Sequence, residues 1–382
     1  MSEFCSIYSG GTPSRNKTEY WNNGEFNWVK ISDFDGKYLE KSQEKITKRG
    51  LEKSSAKLFP MGTILYTIFA TLGEVAILNI EAATNQAIAG IIPDRNIIDI
   101  NYFYYYLKSI KKKVVSEGRG VAQNNINLTM LKNISVPIPS INTQQKISIT
   151  LDLTSKLIEK RKEQLTEMDR LIQSVFYEMF GDPNKTLPNN QIKLKDISKI
   201  STGNTPPRSE SHNYGTYIEW IKTDNIISNS LYPTTADEYL SEEGMKKGRT
   251  VGENSILITC IAGSKKSIGK VVLMDRKVAF NQQINAITVN EETNSKYIYY
   301  ALKFSKLRLE DYANDSMKKM INKSKLENFF IAKADLEKQN IFTDIAEQIE
   351  AQKRVMEESL KEMENNFNAL MQKAFHDELF PD

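Results

Sequence analysis

Cys5 and Cys260 are the only cysteines among 382 residues, and His212 and His376 the only histidines. So few cysteines exclude a disulfide framework, and so few histidines make a closed zinc site hard to assemble. No stretch approaches the roughly 20 apolar residues that a membrane span requires. The opening residues, MSEFCSIYSGG, lack a basic start followed by an apolar run, so a cytoplasmic chain with no membrane role is expected. The phosphate loop G-x-x-x-x-G-K-[ST] is missing, as are G-x-G-x-x-G after a strand, H-E-x-x-H and G-x-S-x-G. An Asn-Pro-Pro-Tyr motif, used to hold a flipped base, is missing too. Only a loosely spaced acid-metal site of scattered Asp and Glu escapes this screen, and a non-catalytic chain is expected, with no catalytic, cofactor or metal site of its own. A strong charge of one sign is also lacking, since the formal net charge is +3.

What the chain does contain is a repeat. SGGTPSR (9–15) returns as TGNTPPR (202–208), and the segments that follow match in the same order at a near-constant offset of about 195 positions. EFNWVKISDF (25–34) meets YIEWIKTDNI (217–226), which puts Trp28 on Trp220. GTILYTIFATLGEVAIL (62–78) meets ENSILITCIAGSKKSIGKVVL (253–273), with Gly73 on Gly269. TNQAIAGIIP (84–93) meets FNQQINAITV (280–289), and Tyr104 and Tyr105 meet Tyr299 and Tyr300. The β-branched runs 64–68, 75–80 and 88–92, with 256–261, 270–274 and 284–289, predict strands. A tyrosine-rich helix follows in each copy, so each copy reads as an α+β module. In the first such helix Tyr102, Tyr105 and Tyr106 form one stripe, expected to pack on the sheet; Trp28 and Trp220 are expected in the core. The Asn-Gln pairs, at strand starts, are read as closing a turn. QIKLK (191–195), which opens the second module, has no match in the first.

Each module runs into a long helix with an apolar seam. In the first helix the seam is Ile158, Leu165, Met168, Ile172, Val175 and Met179, broken by Arg161. In the second it is Ile349, Met356, Leu360, Met363, Phe367, Leu370 and Ala374, broken by Lys353. Residues 143–180 as a helix would span about 57 Å. The second helix must run back to bury its seam on the first, which predicts an antiparallel coiled coil and an internal pseudo-twofold repeat. PNKTLPNN (183–190) is the linker by which the chain leaves the first helix and enters the second module. The expected organisation is module 1 over 1–142, a central helix over 143–182, module 2 over 183–338 and a C-terminal helix over 339–382.

Turn, Trp strand, Gly loop, Asn-Gln pair, tyrosine helix and heptad helix, twice in this order, resemble the specificity subunit of Type I restriction-modification systems over nearly the whole length. NNINLTMLKNISVPIPSINTQQKI (124–147) is similar to the family's joint between a target-recognition domain and its conserved helix; LENFFIAKADLEKQNIF (326–342) is a second copy without the prolines. The resemblance implies two target-recognition domains joined by an antiparallel helical pair. It implies a subunit that reads bipartite double-stranded DNA, carries two methyltransferase subunits, and associates with restriction subunits. S-adenosylmethionine, Mg and ATP would belong to those partners. Two alternatives stay open: a specificity subunit for a fused cleavage-methylation enzyme, and a coiled-coil scaffold with no DNA role.

Phosphate contacts position a reader and base contacts specify, so both kinds of residue are expected in the repeated loops. Candidates for DNA binding are Thr12, Ser14, Arg15 and Lys17 with Thr205, Arg208 and Ser209 in the opening turns. Thr67 and Thr71 with Lys265 and Lys266 occupy the next loop. Arg119, Gln123 and Asn124 with Lys318, Lys319 and Asn322 follow the tyrosine helices. Further lysines and arginines gather at Lys108, Lys111, Lys112 and Lys113, at Lys246, Lys247 and Arg249, and at Lys323 and Lys325, where a solvated face is the commoner reading and phosphate neutralisation the alternative.

Overall fold

The computed structural model describes all residues except 119–124, 186–189, 229, 314–318, 377–378 and 381–382. The chain divides into two compact units, Met1–Lys162 with Glu358–Asp382, and Glu163–Glu357. Each unit therefore holds one module, part of the first long helix and part of the second.

In unit 1 the first sheet has five strands in the order Cys5–Ser9, Ile88–Pro93, Ile64–Thr67, Val75–Leu78 and Tyr38–Leu39, antiparallel until the last, parallel pair. The second sheet is ordered Glu44–Ile46, Phe26–Val29, Ala82–Thr84, Leu58–Phe59, with a parallel pair at its centre. Unit 2 repeats this plan, except that its first sheet has four strands among the described residues and no counterpart of the parallel fifth. Ser198–Thr202, Ile284–Val289, Ile256–Thr259 and Val271–Leu273 form one sheet; Tyr239–Leu240, Tyr214–Ile221, Val278–Phe280 and Thr250–Val251 form the other. The predicted strands are present: four are shorter than expected, the one starting at Ile88 runs on to Pro93, and Ile284–Val289 is as expected. Gly73 and Gly269 close the equivalent hairpins at φ +77° and +73°, a backbone region open to glycine, which explains why both copies keep it.

Unit 2 adds a ribbon that unit 1 lacks among the described residues. Gln191–Lys193 pairs antiparallel with Phe330–Ala332. In unit 1, Lys132 O and Ile134 O accept instead from the Met1 ammonium group at 3.1 and 2.8 Å.

The tyrosine helices, Ile100–Ser109 and Ser295–Phe304, are buried more completely than a one-sided stripe predicts: Tyr102 to Leu107 and Tyr297 to Leu302 are all core. One side packs on the sheet and the other on the long helix. Tyr102 Oη donates to Pro137 O at 2.9 Å and Tyr105 Oη to Asp152 at 2.6 Å; Tyr297 Oη donates to Ala332 O at 2.6 Å and Tyr300 Oη to Glu350 at 3.2 Å. Burial pushes the Tyr104 hydroxyl up to about 12. These rings are structural and unavailable for base stacking.

The long helices are Ile141–Phe180 and Leu336–Ala374. The first stops where Gly181 takes φ +85° and donates to Tyr177 O at 2.9 Å. Within unit 2 the helices run antiparallel, since Phe176 meets Phe342 (ring centroids 5.3 Å apart) and Asp169 meets Lys353 (2.6 Å). In unit 1 Lys162 pairs with Glu364 at 2.7 Å, and Leu151 shares a core cluster with Ala374. Of the seam residues Ile158, Ile172, Ile349 and Ala374 are buried; Leu165, Met168, Val175, Met179, Met356, Leu360, Met363, Phe367 and Leu370 are half-buried. Lys353, the polar break in the second seam, is buried beside Asp169 and Glu350.

Candidate functional site

Three segments far apart in sequence come together at one end of each main sheet, beside the stretch that carries the Asn-Gln pair. In unit 1 Gly10 N–H donates to Ile88 O (3.0 Å) and Gly11 N–H to Thr84 O (2.8 Å), laying the opening turn across the strand that begins at Ile88. The Thr12 hydroxyl donates to Gln86 Oε1, and Asn85 Oδ1 accepts from Ala87 N–H at 3.1 Å. Ala87 O accepts from Ile68 N–H (2.8 Å), the start of the Gly loop, and Ile68 O accepts from Ile126 N–H (3.0 Å). Thus the turn, the Gly loop and the segment after the tyrosine helix lie side by side.

Unit 2 builds the same junction. Gly203 N–H donates to Ile284 O (3.0 Å), Asn204 N–H to Phe280 O (3.1 Å), Cys260 N–H to Gln283 O (2.8 Å) and Ile321 N–H to Cys260 O (2.9 Å). Thr205 donates to Gln282, and Asn281 Oδ1 accepts from Gln283 N–H at 3.0 Å. Trp28 and Trp220 are buried as expected, and their indole N–H groups reach the turns at Gly11 O (3.0 Å) and Asn204 O (3.3 Å).

Both turn arginines are held by a carboxylate. Arg15 makes a bidentate pair with Glu44 at 2.9 and 2.8 Å, its guanidinium 3.7 Å from the Trp21 ring centroid and 4.9 Å from that of Trp28. Arg208 pairs with Glu238 at 2.7 Å over Tyr214 and Trp220. Lys30 and Lys222 bind the same two carboxylates. Hydrogen bonds from Arg15, then those from Lys30, hold the Glu44 carboxyl down at about 2 against the opposing effect of burial; Lys222, then Arg208, lower Glu238. Because its folded value lies below the ordinary 4.5, Glu44 contributes stability that is complete above pH 4.5 and lost as pH falls towards 2. The gap in melting temperature between the native chain and a Glu44→Gln variant should accordingly narrow between pH 6 and pH 3, as followed by calorimetry. A gap that stays constant over that range would show the carboxylate to be uncoupled from folding.

The other candidates fall into three groups. Ser14, Ser209, Thr71, Lys265 and Lys266 are exposed in the turns and Gly loops; Lys17, also exposed, donates to Tyr20 Oη at 3.2 Å. Thr67 and Asn322 have internal bonds. Buried Thr67 donates to Thr71 O and accepts from Glu74 N–H (2.8 Å), tying the loop neck, and Asn322 Oδ1 caps a short helix at Lys325 N–H (2.8 Å). Arg119, Gln123, Asn124 and Lys318 lie outside the described residues. The strand containing Lys319 pairs with Ile261–Ala262, Lys319 opposite Ala262, and so runs beside the loop of Lys265 and Lys266. Glu44 and Glu238, Gln86 and Gln282 were not among the candidates, although each pair recurs at the repeat offset.

The model of the Type I restriction modification DNA specificity domain matches this chain twice, over residues 1–167 and 188–365. The chain belongs to that family. It is a specificity subunit with two tandem target-recognition domains and long coiled-coil helices; docking of partner subunits is the family's role, and catalysis lies outside it. Among curated relatives, the Type I restriction enzyme MjaIX specificity subunit of Methanocaldococcus jannaschii is 26% identical over 332 residues, covering 80% of this chain and 75% of the relative. The EcoR124I/EcoR124II specificity subunit of Escherichia coli is 29% identical over 188 residues, 48% of this chain and 46% of the relative. The fold matches a chain solved in a study of the assembly and conformational transition of the type I R-M system, with TM-score 0.65 and 19% identity over 99% of this chain and 97% of the other. It also matches the S subunit from M. genitalium, with TM-score 0.54 and 14% identity over 98% and 94%. Among the described residues, no helix of the specificity subunit is long and apolar enough to cross a membrane.

Proposed function

We propose that this specificity subunit reads a split double-stranded DNA target in the cytoplasm, one half-site per unit. The observation that carries this is the duplicated junction, in which the turn and the Gly loop bond the Asn-Gln stretch and the segment after the tyrosine helix bonds the Gly loop, in both units. One recognition surface written twice suits a target with two halves, roughly 34 Å or one turn apart if both are met on one face of the duplex. Ser14, Lys17, Ser209, Thr71, Lys265 and Lys266, with Arg119, Gln123, Asn124, Lys318 and Lys319, supply the phosphate and base contacts. Thr12, Thr205, Thr67, Asn322 and the pinned Arg15 and Arg208 shape the loops that present them. The functional segments are residues 1–142 and 183–338 for recognition, and 143–182 and 339–382 for the helical pair, whose helices themselves begin slightly earlier, at Ile141 and Leu336, and end at Phe180 and Ala374.

Two methyltransferase subunits and the restriction subunits dock on the chain, and S-adenosylmethionine, Mg and ATP are bound by them. Ile149, Leu153 and Leu157 form an apolar row at one-turn spacing on the first long helix, 56–59% exposed; a docked subunit would cover it. Co-expression with the neighbouring methyltransferase subunit and single-molecule sequencing of host DNA test the reading. A split methylated motif with a fixed gap is the expected result. A contiguous motif, or none from a stable complex, would overturn it.

A further inference from the structure

Two glutamines share a pair of bonds, to which Gln144 adds a third. Gln144, fully buried in the first turn of the first long helix, accepts at Oε1 from Asp99 N–H (2.8 Å) and donates from Nε2 to Ile97 O (3.1 Å) and Pro139 O (2.9 Å). Asp99 is the residue that caps the tyrosine helix, its carboxylate accepting from Tyr102 N–H at 2.8 Å. Gln339 is 5% exposed in the first turn of the second long helix. Its Oε1 accepts from Asn294 N–H and its Nε2 donates to Ala334 O, both at 2.8 Å. Asn294 likewise caps its tyrosine helix, accepting from Lys296 and Tyr297. The residues around these positions have otherwise diverged: Pro139 stands against Ala334, Ser140 against Asp335, and Thr143 against Lys338. What both copies retain is an amide that joins the N-terminus of the tyrosine helix to the N-terminus of the long helix.

The chemistry of the two contacts differs. Tyrosine rings against a helix make a broad contact in which neighbouring orientations cost little, because apolar burial is non-directional. An amide bonded to backbone groups at the entries of both helices is directional, and losing it leaves buried N–H and C=O groups unpaired. We infer that Gln144 and Gln339 are positioning residues for DNA recognition: each latches its recognition domain to its long helix at one angle. The inference rests on the split-target reading. A domain free to tilt at the base of its sheet would displace the loop junction at the far end, so the latch fixes the gap between half-sites while leaving the bases read in each half unchanged.

The experiment uses the full chain assembled with its methyltransferase subunit, and duplexes carrying both mapped half-sites at the native gap and at gaps one and two base pairs longer or shorter. Gln144→Met and Gln339→Met keep side-chain length and remove the bonds. Gln144→Glu keeps the acceptor toward Asp99 N–H but sets a carboxylate oxygen against the two carbonyls, and gives a second reading should a Met variant fail to fold. The expected result is a cooperative thermal melt, unchanged half-site bases, and a fall of about tenfold in the preference for the native gap over gaps one base pair away. An unchanged gap preference, or an equal loss of affinity at every gap, would overturn the latch. A native chain with no preferred gap would overturn the split-target reading instead.

Discussion

Phe176→Ala is expected to destabilise unit 2 by about 3–5 kcal/mol, the cost of emptying a large aromatic site in a packed core. Phe176 is 2% exposed on the first long helix and lies at the centre of a ring cluster. Its centroid is 5.0 Å from Phe180, 5.2 Å from Phe304, 5.3 Å from Phe342 and 6.0 Å from Tyr297. Phe304 and Tyr297 come from the tyrosine helix and Phe342 from the second long helix. One side chain thus bonds three elements of the unit together, and no neighbour can fill the void without leaving its own partners. Hydrogen exchange of amides across residues 163–357 reads the loss directly, with slower exchange retained in unit 1. Leu157→Ala on the exposed row of the same helix is the control, expected to change stability within about 0.5 kcal/mol. Equal effects from the two variants would show that the cluster contributes nothing beyond helix propensity.

Gly203→Ala should abolish reading of the second half-site while the first is still recognised. A Cβ at this position would lie 2.1 Å from Asn281 O and 2.5 Å from Phe280 O. Both are backbone atoms where the strand Val278–Phe280 passes into the strand starting at Ile284, so the turn must lift, breaking its bond to Ile284 O and separating Thr205 from Gln282. Gly10 is confined in the same way, with Thr84 Oγ1 at 2.1 Å and Asn85 O at 2.3 Å. Overpacking of this kind costs about 1–3 kcal/mol locally, and here it falls on the junction that presents the recognition loops. Gly252→Ala is the comparison, since nothing lies within 4 Å of its Cβ. The methylated motif from cells expressing each variant decides the matter. Loss or degeneracy confined to one half is expected for Gly203→Ala, and the native motif for Gly252→Ala. A native motif from Gly203→Ala would mean that the turn is remote from DNA.

Much of this architecture is written in the sequence because it depends on local patterns. Alternating β-branched runs specify strands, three-and-four spacing specifies the long helices, and the ordered return of Gly, Trp, Asn-Gln and Tyr shows that one module occurs twice. Gly73 and Gly269 are legible for the same reason, a backbone angle being a property of the residue itself.

Other features had to wait for tertiary structure. Arg15 is exposed, as a loop arginine is expected to be, but its pairing with Glu44, 29 residues later, and its place over Trp21 are not readable from the sequence. Thr12 and Gln86 are 74 residues apart, and no local pattern predicts that they bond. A strict seam passes over Phe176 and Phe180, because a helix of 3.6 residues per turn that packs on both a partner helix and a domain needs a wider apolar face than a coiled coil alone. Nothing in the local sequence marks Gln144 and Gln339 as buried; the backbone N–H groups from which they accept lie 45 residues earlier. The sequence determined which elements form and that they form twice. The pairing of side chains between those elements, which sets the recognition junction and its angle to the helix, depends on directional contacts between residues distant in the chain, and only the folded structure decided it.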